Sequence, residues 1–149
     1  MTRELEGKIM DNEDLVREYS NNLTTYEQFT NLMETYICNL LNREQISFHS
    51  ITSRTKSIES LSKKIELKNK YQKLDEITDL SGIRVITYYT DTVDQISKLI
   101  ENEFIIDRDN SIDKRKSLDP KRFGYRSLHY VVQIDPKYVK AQEYLKYHN

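Results

Sequence analysis

The chain has 149 residues, of which 37% are hydrophobic and 32% charged, and its formal net charge at pH 7 is −1. That length suits one domain with a hydrophobic core, and the near-zero charge excludes a protein that attracts nucleic acid through a global basic field. The single cysteine excludes an internal disulfide, and no apolar run resembles a signal peptide or a membrane span, so we expect a cytoplasmic protein without a membrane partner.

The charges are unevenly distributed along the chain. Residues 1–45 carry nine acids and four bases, residues 54–73 carry seven bases and two acids, and residues 113–126 carry six bases and two acids. Two local basic clusters in a neutral chain indicate a compact polyanion such as a nucleotide, because a long duplex favours a broad basic face.

The first half of the chain is predicted to be mainly helical. Apolar residues recur every three or four positions over residues 12–42, which predicts an amphipathic helix or a pair of helices with a break near residues 21–25. Residues 45–53 alternate in character and predict a strand, and residues 57–70 return to helical spacing.

The second half interleaves strands with a helix. The predicted elements are a buried strand at 82–90, a helix at 92–103, a short strand at 104–107, a polar loop at 108–122, a strand at 125–134 and a helical segment from Pro136. This succession indicates an α+β or α/β sheet domain with an N-terminal helical layer.

A first motif covers residues 53–64, where a predicted strand gives way to a helix. Lys56, Ser60 and Lys64 are spaced by four and would share one helix face, with Arg54 just before them. Because helix N-termini bind phosphate, these residues could hold a phosphate chain. A capping serine followed by a solvated lysine-rich face explains the same pattern.

A second motif places Asp79 just before a predicted strand that contains Arg84. In phosphoryl-transfer sites Mg²⁺ is usually held by one or two carboxylates together with substrate phosphates, so Asp79 could supply a ligand. A turn-forming aspartate paired with Arg84 is the structural alternative.

A third motif, residues 120–132, contains a basic loop that enters a strand. Tyr125, Ser127 and His129 would lie on one face of that strand, which suits a stacked base with its phosphates bound by cations. The loop and strand start contribute the cations Lys121, Arg122 and Arg126. A half-buried strand tyrosine and a hydrogen-bonded core histidine are the alternatives for Tyr125 and His129.

In order and spacing, these three motifs resemble the synthetase domain of the RelA/SpoT-type alarmone synthetases, the GTP pyrophosphokinases, over about residues 45–134. The resemblance implies an α+β fold, a nucleotidyltransferase-like mixed β-sheet flanked by helices. It implies a single domain over residues 1–149, with helices at 1–44 and the sheet core at 45–149.

The resemblance also implies an activity. The reaction is transfer of pyrophosphate from ATP to the 3′-hydroxyl of GDP or GTP, with Mg²⁺ as the cofactor. The residues implied are Arg54, Lys56, Ser60 and Lys64 for ATP, Asp79 for the metal, Asp79 and His129 for catalysis, and Lys121, Tyr125 and His129 for GDP or GTP.

Two departures from the family pattern modify this expectation. The family has a further Glu-x-Gln-Ile/Val-Arg segment with a second catalytic acid, and residues 142–146 do not match it. We therefore expect the chain to be incomplete at its C-terminus and the 149-residue piece to be nearly inactive, even if it binds nucleotide. No histidine precedes an aspartate, so a hydrolase is not expected and the chain resembles the synthetase-only type.

Three other possibilities stay open. A toxin-type relative would pyrophosphorylate tRNA 3′ ends or adenosine nucleotides and could have an antitoxin partner. The chain could also be a non-catalytic nucleotide-binding or regulatory module, or an interaction protein built on its N-terminal helices. The sequence leaves open whether the chain forms a homo-oligomer.

Overall fold

The computed structural model describes residues 10–114 and 127–135. The helices are α1 (Asn12–Asn21), α2 (Leu23–Arg43), α3 (Ile58–Lys68) and α4 (Thr90–Glu103), and the strands are β1 (Ser50–Thr55), β2 (Ser81–Ile86), β3 (Phe104–Asp113) and β4 (Leu128–Ile134). β1 pairs with β2 and β3 with β4, in two two-stranded sheets. The predicted α+β class is confirmed.

These described residues divide into two compact units. Unit 1 contains residues 10–39 and 51–85, and unit 2 contains residues 40–50, 86–114 and 127–135. No helix in the described parts of the chain is both long enough and apolar enough to cross a membrane.

The N-terminal helical region is a pair of helices, as the break signals allowed. α1 starts with a capping box, in which the Asp11 carboxylate accepts a hydrogen bond from the Asp14 N–H at 2.8 Å and Asp14 reciprocates. Asn22 separates the two helices, and its side-chain amide donates to the Glu18 carbonyl at 2.8 Å. The Glu18 carbonyl also accepts from the Asn22 backbone N–H at 3.2 Å, so Asn22 closes the end of α1 with both its side chain and its backbone.

The core of unit 1 forms between α1, α3 and the segment that leads into β2. Its buried residues are Leu15, Tyr19, Leu61, Ile65, Leu74, Ile77 and Leu80. Full burial of a leucine or isoleucine side chain contributes about 1.5 to 3 kcal/mol, so this cluster is the main apolar stabilisation of the unit. Ile77 and Leu80 anchor the turn that contains Asp79.

A hydroxyl network connects α2 to the β1–β2 pair. The Thr30 hydroxyl, on a residue only 2% exposed, donates to the Tyr26 carbonyl at 2.8 Å and accepts from the Thr55 hydroxyl at 2.9 Å. The Ser81 hydroxyl lies 2.7 Å from it and must be the donor, because Thr30 has one hydroxyl proton. The Thr30 oxygen is therefore fully used.

β1 begins later than predicted, because residues 45–49 do not form a strand. α2 is followed by a residue in the left-handed conformation, Gln45, with φ 57°. The N–H groups of Gln45 and Ile46 donate to the carbonyls of Asn42 and Leu41, at 3.1 and 2.9 Å. These two bonds form a Schellman cap. Because the backbone of Gln45 and Ile46 takes part in the cap, the strand can start only after these residues.

β2 is shorter and less buried than predicted. It ends at Ile86, and Tyr88 and Tyr89 are 62% and 74% exposed. Because α4 starts at Thr90 with Tyr89 as its cap, the β-branched and aromatic run is divided between a strand end and a helix start. The predicted buried strand at 82–90 was therefore wrong in both length and burial.

β3 is longer than predicted and contains a large bulge. Its pairing with antiparallel β4 shifts between Asp107, opposite Val131, and Ile112, opposite His129. Within the bulge the Asp107 carboxylate accepts from Asn110, and the Ser111 hydroxyl accepts from the Val131 N–H at 2.9 Å. The polar residues from 108 onwards predicted a loop. Instead, side chains within the bulge supply hydrogen bonds that the backbone ladder lacks there, and β3 continues to Asp113.

β4 has the alternating faces that the sequence predicted. His129 and Gln133 are exposed, and the residues of the other face, Leu128, Tyr130, Val132 and Ile134, are partly buried. The Tyr130 hydroxyl reaches α4, where it lies 2.7 Å from the Ser97 hydroxyl and donates to Glu101 at 2.6 Å. This contact fixes α4 to the β3–β4 pair.

Candidate functional site

Three predicted site residues of unit 1 meet in one ion-pair cluster. The Lys56 and Lys64 ammonium groups each lie 2.9 Å from the Asp79 carboxylate, one on each oxygen. The exposed fractions of the side chains are 10% for Lys56, 23% for Lys64 and 36% for Asp79. We refer to Lys56, Lys64 and Asp79 as the Asp79 cluster.

Local sequence explains how the cluster forms. Ser57 caps α3 by accepting the Ser60 N–H at 3.1 Å. Lys56 therefore lies at the junction between β1 and α3, whereas Lys64 lies within the helix. Asp79 lies in the turn before β2. The residue after it, Leu80, accepts a hydrogen bond from the Lys56 N–H at its carbonyl, at 2.8 Å. A strand end, a helix and an anchored turn therefore converge on the carboxylate.

The electrostatics of the cluster favour a charged Asp79. Partial burial acts to raise the pKa of Asp79, but hydrogen bonds and charge from Lys64 and Lys56 outweigh it and hold the pKa below its usual value. The carboxylate is therefore ionised at neutral pH, and with two ammonium groups the cluster carries a net positive charge. A partly exposed, positively charged cluster of this kind is suited to a phosphate ligand.

Not every residue of the first two motifs joins this cluster. Arg54 is exposed on β1, and the Ser60 hydroxyl accepts from the Ser57 hydroxyl at 2.9 Å in the helix cap. Arg84 is exposed and does not bind Asp79, so the alternative of an Asp79–Arg84 pair was wrong. The capping serine of the alternative interpretation is present, yet Lys56 and Lys64 point to Asp79.

The third motif is partly described. His129 is exposed on β4, and a nitrogen of its ring lies 3.1 Å from the Ser127 hydroxyl, which confirms that the two side chains share a face. The Lys114 N–H donates to the Ser127 carbonyl at 2.9 Å, so the ladder extends to the start of the motif. Lys121 and Tyr125 lie outside the described residues.

Comparison with known proteins decides the family. A family model described as a region found in RelA/SpoT proteins matches residues 53–144, which include the Asp79 cluster and the third motif. The chain belongs to the RelA/SpoT family. No curated protein matched the chain in sequence.

Two solved structures have a similar fold. The small alarmone synthetase 1 from Bacillus subtilis matches with a TM-score of 0.62 at 19% identity, over 78% of this chain and 61% of the other. The structure of that synthetase bound to its product pppGpp matches with a TM-score of 0.62 at 21% identity, over 79% and 64%. The chain thus spans less than two thirds of the length of these structures.

Membership of the RelA/SpoT family raises the question of the expected Mg²⁺. Asp79 offers the hard carboxylate oxygens that Mg²⁺ prefers, and its side chain is accessible enough to share the ion with substrate phosphates. Among residues 10–114 and 127–135, no group of three or more His, Cys, Asp or Glu side chains could hold a metal. Asp79 could therefore supply one ligand to such an ion.

The structure adds two polar residues that the sequence motifs did not include. Glu34 on α2 accepts a hydrogen bond from the Ser53 hydroxyl, beside Arg54 in β1. Tyr19 on α1 donates its hydroxyl to the Lys56 carbonyl. Both belong to the helical layer before the family match, and Tyr19 was predicted only as part of an apolar stripe.

Proposed function

We propose that the chain binds ATP and GDP or GTP and acts in the transfer of pyrophosphate from ATP to the 3′-hydroxyl of the guanosine nucleotide. The observation that carries this proposal is the Asp79 cluster, formed by two lysines and an aspartate within the segment that matches the RelA/SpoT family. The likeness to a synthetase solved with pppGpp supports it at the level of the fold.

The cluster supplies the charge that this chemistry requires. Phosphoryl transfer depends mainly on positioning and on neutralising the charge that develops on the phosphate oxygens. Lys64, the more exposed lysine, can turn from Asp79 to a phosphate, and Lys56 keeps the carboxylate ionised and oriented. Mg²⁺, when bound at Asp79 with the phosphates, would neutralise further charge.

On the exposed face of β4, His129 is the proposed contact to the guanosine nucleotide. Its hydrogen bond with Ser127 restricts the ring orientation, which favours a fixed polar contact over a mobile side chain. We also propose Lys121 and Tyr125 for this nucleotide, on the family resemblance, and Arg54 for stacking on adenine.

Nucleotide titration tests this proposal. Lys64→Ala should weaken ATP binding by about tenfold to a hundredfold, since it removes a charge-assisted contact, and should leave GDP binding unchanged. The control is Lys63→Ala, which removes the neighbouring exposed lysine outside the Asp79 cluster. Isothermal titration calorimetry with Mg²⁺ present measures both nucleotides.

The same protein should then be incubated with γ-labelled ATP and each acceptor in turn: GDP, GTP, ATP and deacylated tRNA. Label on GDP or GTP, even at low turnover, supports the proposal. Label on tRNA, or on a new adenosine nucleotide that carries pyrophosphate at its 3′-hydroxyl, would reassign the acceptor, and a chain that binds no ATP at millimolar concentration would overturn the proposal.

A further inference from the structure

Tyr19 is the most deeply buried polar side chain near the Asp79 cluster. It lies in α1, before the family match begins at residue 53, and its relative exposure is 0%. A buried hydroxyl without a hydrogen-bond partner is costly, so the folded chain must provide one for Tyr19. That partner is the backbone carbonyl of Lys56.

The backbone of Lys56 is thereby held on both sides. Its N–H donates to the Leu80 carbonyl at 2.8 Å, and its carbonyl accepts from Tyr19. Lys56 belongs to neither β1 nor α3, so no ladder or helix bond of its own fixes its orientation. The bond to Leu80 joins it to the residue after Asp79, and the bond from Tyr19 fixes the opposite side of the residue.

We propose that Tyr19 is a positioning residue for the Asp79 cluster, holding the Lys56 carbonyl so that the Lys56 ammonium meets the Asp79 carboxylate. It acts through Lys56 and contacts no phosphate itself. The expected effect of Tyr19 on ATP binding rests on the proposed function. Its expected effect on the position of the Lys56 side chain is independent of that function.

Tyr19 is well suited to this role because its hydroxyl stays a donor. Burial, followed by the nearby charges of Tyr26, Glu27 and Asp79, raises the pKa of Tyr19 above its ordinary value. Its ring is fixed by the core of unit 1 and by Tyr26, whose ring centre lies 4.9 Å away. A rigid ring can hold a carbonyl with little loss of conformational entropy.

Tyr19→Phe tests the proposal, because it keeps the buried ring and removes the hydroxyl. The readout is the rate at which a water-soluble acetylating reagent modifies Lys56, followed by peptide mass spectrometry in the absence of nucleotide. The Lys56 side chain is 10% exposed and should react slowly in the native chain. Loss of one hydrogen bond should raise this rate by about two- to tenfold.

Tyr26→Phe is the matched control, since it removes a hydroxyl from the adjacent ring but leaves the Lys56 carbonyl bonded. Replacing Tyr19 by 4-aminophenylalanine, which keeps a donor at the same position, should restore slow modification. Circular dichroism at the same temperature shows that each variant is folded, and a general loss of folding would raise the rate at Lys56 to that of an exposed lysine such as Lys63.

The outcomes separate this proposal from the proposed function. Faster modification of Lys56 in Tyr19→Phe alone, together with weaker binding of ATP but not GDP, supports both. Faster modification with unchanged ATP affinity supports the positioning role and overturns the assignment of the cluster to ATP. An unchanged rate at Lys56, or the same change in Tyr26→Phe, overturns the positioning role.

Discussion

The chemistry of single residues in this chain is clearest at Asp79. Both of its carboxylate oxygens are used by ammonium groups, and one of these belongs to the nearly buried Lys56. A lysine in that environment is tolerated because it is paired. Asp79 therefore has a structural role in the free protein, in addition to the ligand role proposed for it.

The pH dependence of stability should show this role. Because the pKa of Asp79 is lowered in the folded chain, its contribution is complete above the ordinary aspartate pKa of about 3.9 and is lost as the pH falls towards the folded value. Asp79→Asn should lower the free energy of unfolding at neutral pH by about 1 kcal/mol, the modest size reflecting solvent screening of a partly exposed pair.

Urea unfolding between about pH 2 and pH 7, with EDTA present to exclude metal ions, measures this dependence. Asp79→Asn should have a flatter curve than the native chain below about pH 5. Asp75→Asn, which changes an exposed aspartate outside the cluster, should follow the native curve. Parallel curves for the native chain and Asp79→Asn would contradict the prediction.

At the residue scale the sequence predicted the members of the site better than their partners. The spacing of Lys56 and Lys64 and the place of Asp79 before a strand made them candidates beside structural alternatives, and the family resemblance selected among these interpretations. Periodicity could not predict the Tyr19–Lys56 bond, because a tyrosine in an apolar stripe has the same pattern whether or not its hydroxyl has a partner. Such a contact between distant segments is a product of tertiary packing.

At the scale of secondary-structure elements, β3 is the informative case. Asp107 pairs with Val131 and Ile112 pairs with His129, two residues apart on β4. On β3 the same interval holds four residues, Arg108 to Ser111, which form the bulge. A hydroxyl, not a carbonyl, accepts the Val131 N–H there. The bulge therefore sets the register in which His129 stands opposite Ile112.

Ser111→Ala should weaken this register, since it leaves the Val131 N–H without its acceptor. We expect a loss of about 1 kcal/mol or more in the free energy of unfolding, and faster hydrogen exchange at the amides of β4. Exchange measured by mass spectrometry after peptic digestion resolves the strand. Asp109→Ala, an exposed change within the same bulge, should leave exchange unaltered, and equal effects of the two variants would contradict the assignment.

The elements that the sequence misplaced share a physical cause. The start of β1 was set by the Schellman cap at Gln45, and the length of β3 by side chains that substitute for backbone acceptors. Both are local hydrogen-bonding features that hydrophobic alternation does not contain. The order and type of the elements from α3 to β4 were predictable because long apolar periods determine them.

For the whole molecule, charge distribution has more predictive value than net charge. The chain has a net charge of −1, yet the segment around the Asp79 cluster is basic. A local cluster suits a nucleotide, whereas a protein that holds tRNA along its backbone needs many phosphate contacts. We therefore expect a short polyanion to be the preferred ligand.

Salt titration tests this expectation. ATP affinity should fall by less than about tenfold between roughly 50 and 200 mM salt, since a protein with six to ten phosphate contacts loses about a thousandfold or more. Fluorescence anisotropy with labelled ATP and with labelled deacylated tRNA provides the comparison. Tight tRNA binding with a steep salt slope would instead favour the toxin-type alternative.

The three hydrogen bonds of the Thr30 hydroxyl determine which substitutions this position tolerates. Valine has nearly the same shape, but at this position it would remove the hydrogen-bond partner of both the Thr55 and the Ser81 hydroxyl. Serine would keep every bond and lose only a methyl group. Polarity therefore matters more than volume at this buried position. Replacement of Thr30 by serine should be tolerated better than replacement by an aliphatic residue.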